Sequence, residues 1–592
     1  MGIDVRNKFF TQHKKTTASI SAFIFSSSLL STTFIAAPAA NAWSNTQTSV
    51  SVFGGASNDD GYSIAIDSSG NIYTTGRFRD TVDFDPGAGV ANLTSAGIDD
   101  VFVSKLNSSG NFAWAKRFGG TSIDDGYSIA IDSSGNVYTT GRFRGTVDFD
   151  PGDGTENLTA AGSSEVFISK LNSSGNFVWA KRLGGSFSDV GNSIAVDSSG
   201  NVYTAGSFTS TADFDPGDGT ENLTSEGNTD VFVSKLDSSG NYVWAKRFGG
   251  TDYDEGFSIT LDGSGNVYTT GLFRDTADFD PGDGTENLTV VGESDISDVF
   301  VSKLNSSGNY VWAKRFGGLS YDSANSVAVD SSGNVYTTGY FSGTADFNPD
   351  ISVTENLVSS GQSDVFISKL NSSGNYVWAK RFGGTDYESG SSVAIDSSGN
   401  VYTTGYFNGP TDFDPDVAGV ATLTSAGDAD IFISKLNSSG NYVWAKRFGG
   451  LSSDEGFAIA VDSSGNVYTT GYFSGTIDFD PGAGTTNLTS AGQEDVFVSK
   501  LNSLGEATVS NDSDKSAEAA RKAEAARKAA AEAARKQREL TELLSVIPSI
   551  AGLALSIGDL TNSLLTTKCV KGKTIKSVKK GAKCPKGYKK KK

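Results

Sequence analysis

The chain has 592 residues, with 70 glycines, 37 phenylalanines and 20 tyrosines against one methionine and one histidine, and a formal charge of −20. That length exceeds what one small core needs, so several domains or one repeat array is expected, and the glycine-rich, aromatic composition points to short strands joined by tight turns. The charge is unevenly spread: residues 43–514 carry 24 basic and 61 acidic side chains, a net of −37, and residues 515–592 carry 20 and 6, a net of +14, which excludes nucleic acid as a partner of the acidic part.

Residues 1–42 read as an export signal. Lys14 and Lys15 precede an apolar, small-residue run over 20–37, and Ala40-Asn41-Ala42 fits a small-x-small cleavage pattern. The serine-rich run also fits a retained anchor. Cleavage before Trp43 removes His13, the one histidine, and with it every mechanism that needs an imidazole base.

From residue 43 to 510 the chain repeats itself. GN[IV]YT[TA]G starts at Gly70, Gly135, Gly200, Gly265, Gly333, Gly399 and Gly465, at spacings of 65, 65, 65, 68, 66 and 66. [DE][VI]F[VI]SKL also occurs seven times, whereas VWAKRFGG and its near copies occur six times. One unit, 321–382, reads as four short strands with two Ser-Ser-Gly-Asn turns and one long acidic loop. Middle strands apolar on both parities fit sheets stacked face to face, and seven four-stranded units fit an all-β, seven-bladed β-propeller. The missing seventh fourth strand is expected at the other end. Ser51-Val-Phe-Gly-Gly stands where KRFGG would, so a strand over 48–53 beside 496–501 would close the ring without an exposed edge. Residues 505–510 are the alternative donor.

The long loops carry DFDPGDGTEN unchanged at 148–157, 213–222 and 278–287. Two readings stay open. Asp148, Asp150 and Asp153, with Asp213, Asp215, Asp218, Asp278, Asp280 and Asp283, offer hard oxygens for Ca²⁺. The same residues are also ordinary turn chemistry, Asp before Pro-Gly bonding its own backbone, with the phenylalanine filling the gap between blades. In an up-and-down blade these loops and the acidic loops after each Gly-Gly fall on one face, around a central opening. The Lys-Arg of each WAKRF is expected to bridge to neighbouring acidic loops.

Residues 511–545 are rich in Ala, Glu, Arg and Lys and predict a spacer helix capped by Ser516. Residues 546–567 are apolar, broken by Pro548 and Gly552, and read as a docking segment. Residues 568–592 are lysine-rich and hold Cys569 and Cys584, whose pairing outside the cell would close a small loop. The expected partners of this tail are anionic cell-wall polymer or lipid headgroups, with a plain solvated tail as the alternative.

The recurring pattern S-[IV]-A-[IV]-D-x-x-G-N-x-Y-x-T-G resembles the bacterial β-propeller repeat called SBBP, over residues 48–502. The tail resembles a lysine-rich module of exported actinobacterial proteins. The resemblance implies a propeller on a secreted or surface-attached protein and assigns no activity. The blades read as interchangeable, whereas catalysis needs one asymmetric site. The expectation is a non-enzymatic, monomeric binding or adhesion scaffold with an unidentified extracellular ligand. A carboxylate-dependent glycan hydrolase or lyase and a structural surface-layer component are the alternatives.

Overall fold

Strands Asp60–Ile66, Ile72–Phe78, Asp100–Leu106 and Phe112–Phe118 pair in that order as an antiparallel meander, the first blade. The turns between them are built by one residue each. Asp67 Oδ1 accepts the amides of Ser69 and Asn71, both at 2.9 Å, and Gly70 takes φ +78°, a left-handed conformation that glycine adopts without strain. Asn107 does the same work in the second turn. The two middle strands are buried on both faces, as their unbroken apolar pattern requires.

The computed structural model describes residues 50–292, 296–416, 419–507, 566–571, 574–579, 586 and 589–590. The chain divides into two units, Met1–Asn511 and Asp512–Lys592. In the first, six meanders run from Asp60 to Phe448, and a seventh contains Glu455–Val461, Val467–Asp478 and Asn487–Leu501. Val50–Phe53 completes that blade from the other end of the chain, with Val50 opposite Ser499 and Phe53 opposite Val496. The expected closure is therefore present. Of the alternative segment, Ala507 contributes a single bridge to Leu501.

The seven-bladed ring carries an element that the sequence did not announce. Inside six of the acidic loops two three-residue strands form a ribbon, for example Thr146–Asp148 with Asn157–Thr159, and in blade 7 the same pairing prolongs the long second and third strands. The first ribbon strand also reaches across the seam to the Gly-Gly of the preceding blade: Gly119 bridges Asp148, and Gly184 and Gly185 pair with Asp213 and Ala212. The loop is a strap between blades.

Phe149, in the strap of blade 2, is fully buried among Phe118 of blade 1 and Phe143 and Phe167 of its own blade, at centroid distances of 5.7, 5.5 and 5.1 Å. Each apolar cluster thus joins two neighbouring blades; one unites Tyr73, Val101 and Phe118 with Ile129, Phe143 and Phe149.

In the second unit Thr566–Lys571 pairs with Thr574–Lys579 and with Lys589–Lys590 as a small antiparallel sheet, a structure not expected of the basic tail. The spacer helix, all but the last two residues of the docking segment, the Cys569 side chain and Cys584 lie outside the described residues. Among the described residues no helix is long and apolar enough to cross a membrane.

Candidate functional site

Successive strands are antiparallel, so the Asx-type turns occupy one face of the disc, and the straps and inter-blade loops occupy the other. The carboxylates of the repeated decapeptide are engaged by their own backbone. Asp148 Oδ1 accepts the amides of Asp150 at 3.0 Å and Glu156 at 2.8 Å, and Asp150 Oδ1 accepts the amide of Gly152 at 2.8 Å. Asp213 with Asp215, and Asp278 with Asp280, repeat this. Asp153, Asp218 and Asp283 are exposed at the strap tips. The three copies sit on three different blades, and no group of three His, Cys, Asp or Glu able to hold a metal ion is gathered among the described residues. The carboxylates of Asp148 and Asp150 are thus committed to the hydrogen bonds of their own turn.

Many of the remaining acids are buried at the seams rather than displayed. Asp100, Glu165, Asp230, Asp298, Asp364 and Asp430 open the third strands, fully buried, and each pairs at 2.5–2.7 Å with the arginine of its own blade's fourth strand, Arg117 to Arg447. The main partner of that arginine is thus the buried acid of its own blade, and the bridging to acidic loops expected from sequence is present at Arg247, whose Nη2 reaches Glu226 at 2.6 Å, and at Lys380, 4.0 Å from Asp416 in the next blade's strap. In blade 7 Val52 stands at the arginine position, opposite Phe497, and burial pushes Asp495 up to about 6.

A second buried acid closes each inter-blade loop. Asp124 accepts the amides of Gly120 at 2.8 Å and Arg144 at 2.9 Å, and Asp59, Asp189, Asp254, Asp322, Glu388 and Asp454 stand in the equivalent places. Burial pushes Asp59 and Asp254 up to about 8 and Asp124 and Asp189 up to about 6, against backbone hydrogen bonds that pull them down.

The repeats differ from one another around the central opening, where the first strands of successive blades pack together. The leading position of that strand runs Asp60, Asp125, Val190, Glu255, Ser323, Ser389, Glu455, and its partner on the second strand runs Arg77, Arg142, Ser207, Leu272, Tyr340, Tyr406, Tyr472. The Tyr62 ring lies 5.4 Å from both Tyr127 and Phe457. Arg77 Nε bonds Asp60 at 2.6 Å and Arg142 Nε bonds Asp125 at 2.8 Å, and the two guanidinium groups lie 5.8 and 5.6 Å from the Tyr62 and Tyr127 rings. Burial pushes Glu455 up to about 8, against the hydrogen bond from Tyr472. This asymmetric mouth was missed because identity between repeats was the signal sought; the positions where the aligned repeats disagree would have found it.

A family model described as "Beta-propeller repeat", SBBP, matches residues 53–77, 113–142, 178–215, 243–272, 311–347, 377–414 and 443–475. A WD repeat-containing protein of Acanthamoeba polyphaga mimivirus is 27% identical over 417 residues, 60% of this chain and 30% of that protein. The regulatory protein FlaEY of Caulobacter vibrioides is 29% identical over 175 residues, 29% of this chain and 18% of that protein. The chain therefore spans less than a third of either curated relative. Among solved structures, the WD40 beta propeller domain of Doa1 is similar at 10% identity and a TM-score of 0.33, covering 76% of this chain and 96% of that one. Sqt1 from Chaetomium thermophilum is similar at 12% and 0.34, covering 77% and 99%. With seven matched repeats and seven blades, residues 53–475 form a propeller built of SBBP beta-propeller repeats.

Proposed function

We propose that this propeller is an exported, non-enzymatic interaction scaffold that turns its strap face toward a cationic extracellular partner and is tethered to the cell envelope by its lysine-rich tail. One observation carries the reading. All seven straps stand on the same face, with acidic tips such as Asp153, Asp218 and Asp283 exposed, and that face also exposes large apolar side chains: Leu319 is 73% exposed, Ile351 96% and Leu451 83%. An acidic rim suits a cationic partner by charge complementarity, with the apolar residues between the charges adding contact area. The backbone engagement of the strap carboxylates supports a calcium-independent contact.

The test is binding of the full chain to immobilised polylysine. Binding that weakens on changing Asp153, Asp218 and Asp283 to Asn, and that disappears at about 0.5 M salt, where charge is screened within a few ångströms, is the expected result. Equal binding by wild type and variant would sink it. Co-sedimentation with anionic vesicles, compared with a chain in which Lys589–Lys592 are Gln, tests the tether separately.

A carboxylate-dependent hydrolase or lyase has one observation in its favour, the Glu455 carboxyl at the channel mouth, which burial pushes up beside Tyr472. Glycan cleavage by the full chain that is lost in Glu455→Gln would replace the scaffold reading.

A further inference from the structure

Blades 1 and 2 end their second strands with the same pair of arginines, Arg77 and Arg79, then Arg142 and Arg144, but the acids around them differ. Arg79 Nε and Nη2 grip both oxygens of Asp99, at 2.6 and 3.0 Å. Arg77 reaches Asp60 at 2.6 Å and, across the seam, Asp125 at 3.7 Å. One blade further on, the position of Asp99 holds Ser164 and the position of Asp125 holds Val190. Arg142 bonds Asp125, which Arg77 shares. Arg144 has no ion pair among the described residues, and its Nε is buried without a hydrogen-bond partner. Where the Asp99 carboxylate would stand, the hydroxyls of Ser164 and Ser188 lie 2.8 Å apart, with Phe187 beside them 53% exposed.

A guanidinium that loses its carboxylate while its Nε stays out of water keeps the desolvation cost without the compensating charge. The neighbouring seam supplies that charge from the chain itself; this one does not. We propose that the seam between blades 2 and 3, at the channel mouth, is an oxyanion site. There Arg144 binds the carboxylate, sulfate or phosphate group of a small ligand, the Ser164 and Ser188 hydroxyls complete the donor set, and Phe187 covers the ligand's apolar part. A planar guanidinium suits both planar and tetrahedral oxyanions. The site goes beyond the scaffold reading, because it takes an anion on a face otherwise rich in acid.

The experiment is calorimetric titration of the full chain with sodium sulfate, phosphate and acetate in turn, at constant ionic strength in chloride. Saturable binding of at least one anion is expected, weakened by about tenfold or more in Arg144→Gln, the loss of one charge-assisted contact. Ser164→Asp should restore the internal partner, abolish binding and raise the melting temperature. If no anion binds saturably, or if both variants bind as wild type does, there is no site. Should Ser164→Asp fail to fold, the Arg144→Gln comparison decides alone.

Discussion

Phe149 and its counterparts Phe84, Phe214, Phe279, Phe347, Phe413 and Phe479 are at most 2% exposed, and each is the meeting point of two blades. Phe149→Ala should cost about 3–5 kcal/mol, since a buried aromatic leaves a cavity that rigid strands on three sides cannot fill; chemical denaturation of the full chain would measure it. The aspartates beside it behave differently. If Asp150 serves only its turn, Asp150→Asn should cost no more than about 1 kcal/mol, because an amide oxygen accepts the same Gly152 amide. For the same reason melting in EDTA and in millimolar Ca²⁺ should coincide; a clear rise with Ca²⁺, lost in Asp150→Asn, would restore the metal reading.

The buried seam acids set a pH dependence. Asp59, Asp254, Glu388 and Asp454 are pushed up to about 8, 8, 7 and 7 by burial. The folded state therefore keeps protons that the unfolded chain releases above about pH 4, and this stabilisation is lost as pH rises through 7 and 8. Asp67 and its equivalents run the other way. Burial raises them, but hydrogen bonds from Asn71, Tyr73 and Ser69 outweigh it and hold Asp67 low, so their contribution fades below about pH 4. Melting temperature should peak at mildly acidic pH and fall by several degrees toward pH 9. A flat profile between pH 5 and 9 would show that the seam acids are ionised in the fold.

Among the elements, the four strands of each blade were legible because period-two alternation and the Ser-Ser-Gly-Asn turns are local signals. The closing strand was legible by arithmetic, seven third strands against six fourth strands. The straps were not. Thr-Val-Asp and Asn-Leu-Thr are too short to show alternation, they sit in a stretch dominated by Asp, Gly and Pro, and part of their pairing is with a Gly-Gly in the previous blade. Removing the closing strand should therefore do more than remove four residues. Without residues 43–55, Val496–Leu501 becomes an unpaired edge and Phe53 no longer stacks on Phe84. The truncated chain should aggregate or melt in a broad, early transition by circular dichroism; a sharp wild-type melt would show that another segment closes the ring.

For the whole molecule, the repeat family, the ring and its two faces could be read before any coordinates, whereas the distribution of charge between surface and interior could not. The acids that make the sequence so negative divide among exposed strap tips, such as Asp153, turn aspartates on the opposite face, such as Asp67, and seam residues buried against glycine, such as Asp495, against whose carboxylate a Cβ on Gly54 would collide. The buried set cannot meet a partner. The channel mouth stayed hidden for a related reason: Asp125 and Val190 occupy the same position in successive repeats, and a search for sameness passes over the change.

The closing strand also constrains when the protein can exist. Phe53 pairs with Val496, so among the first residues of the propeller to be made is one that waits for nearly the last. During synthesis the growing chain can stack finished blades, but each intermediate has an open end on both sides, and the ring is completed only once the third strand of blade 7 is free to meet the first. For the exported scaffold proposed above, that delay keeps the chain open for passage out of the compartment of its synthesis. Its final fold is locked by the two parts of the propeller that emerge furthest apart in time.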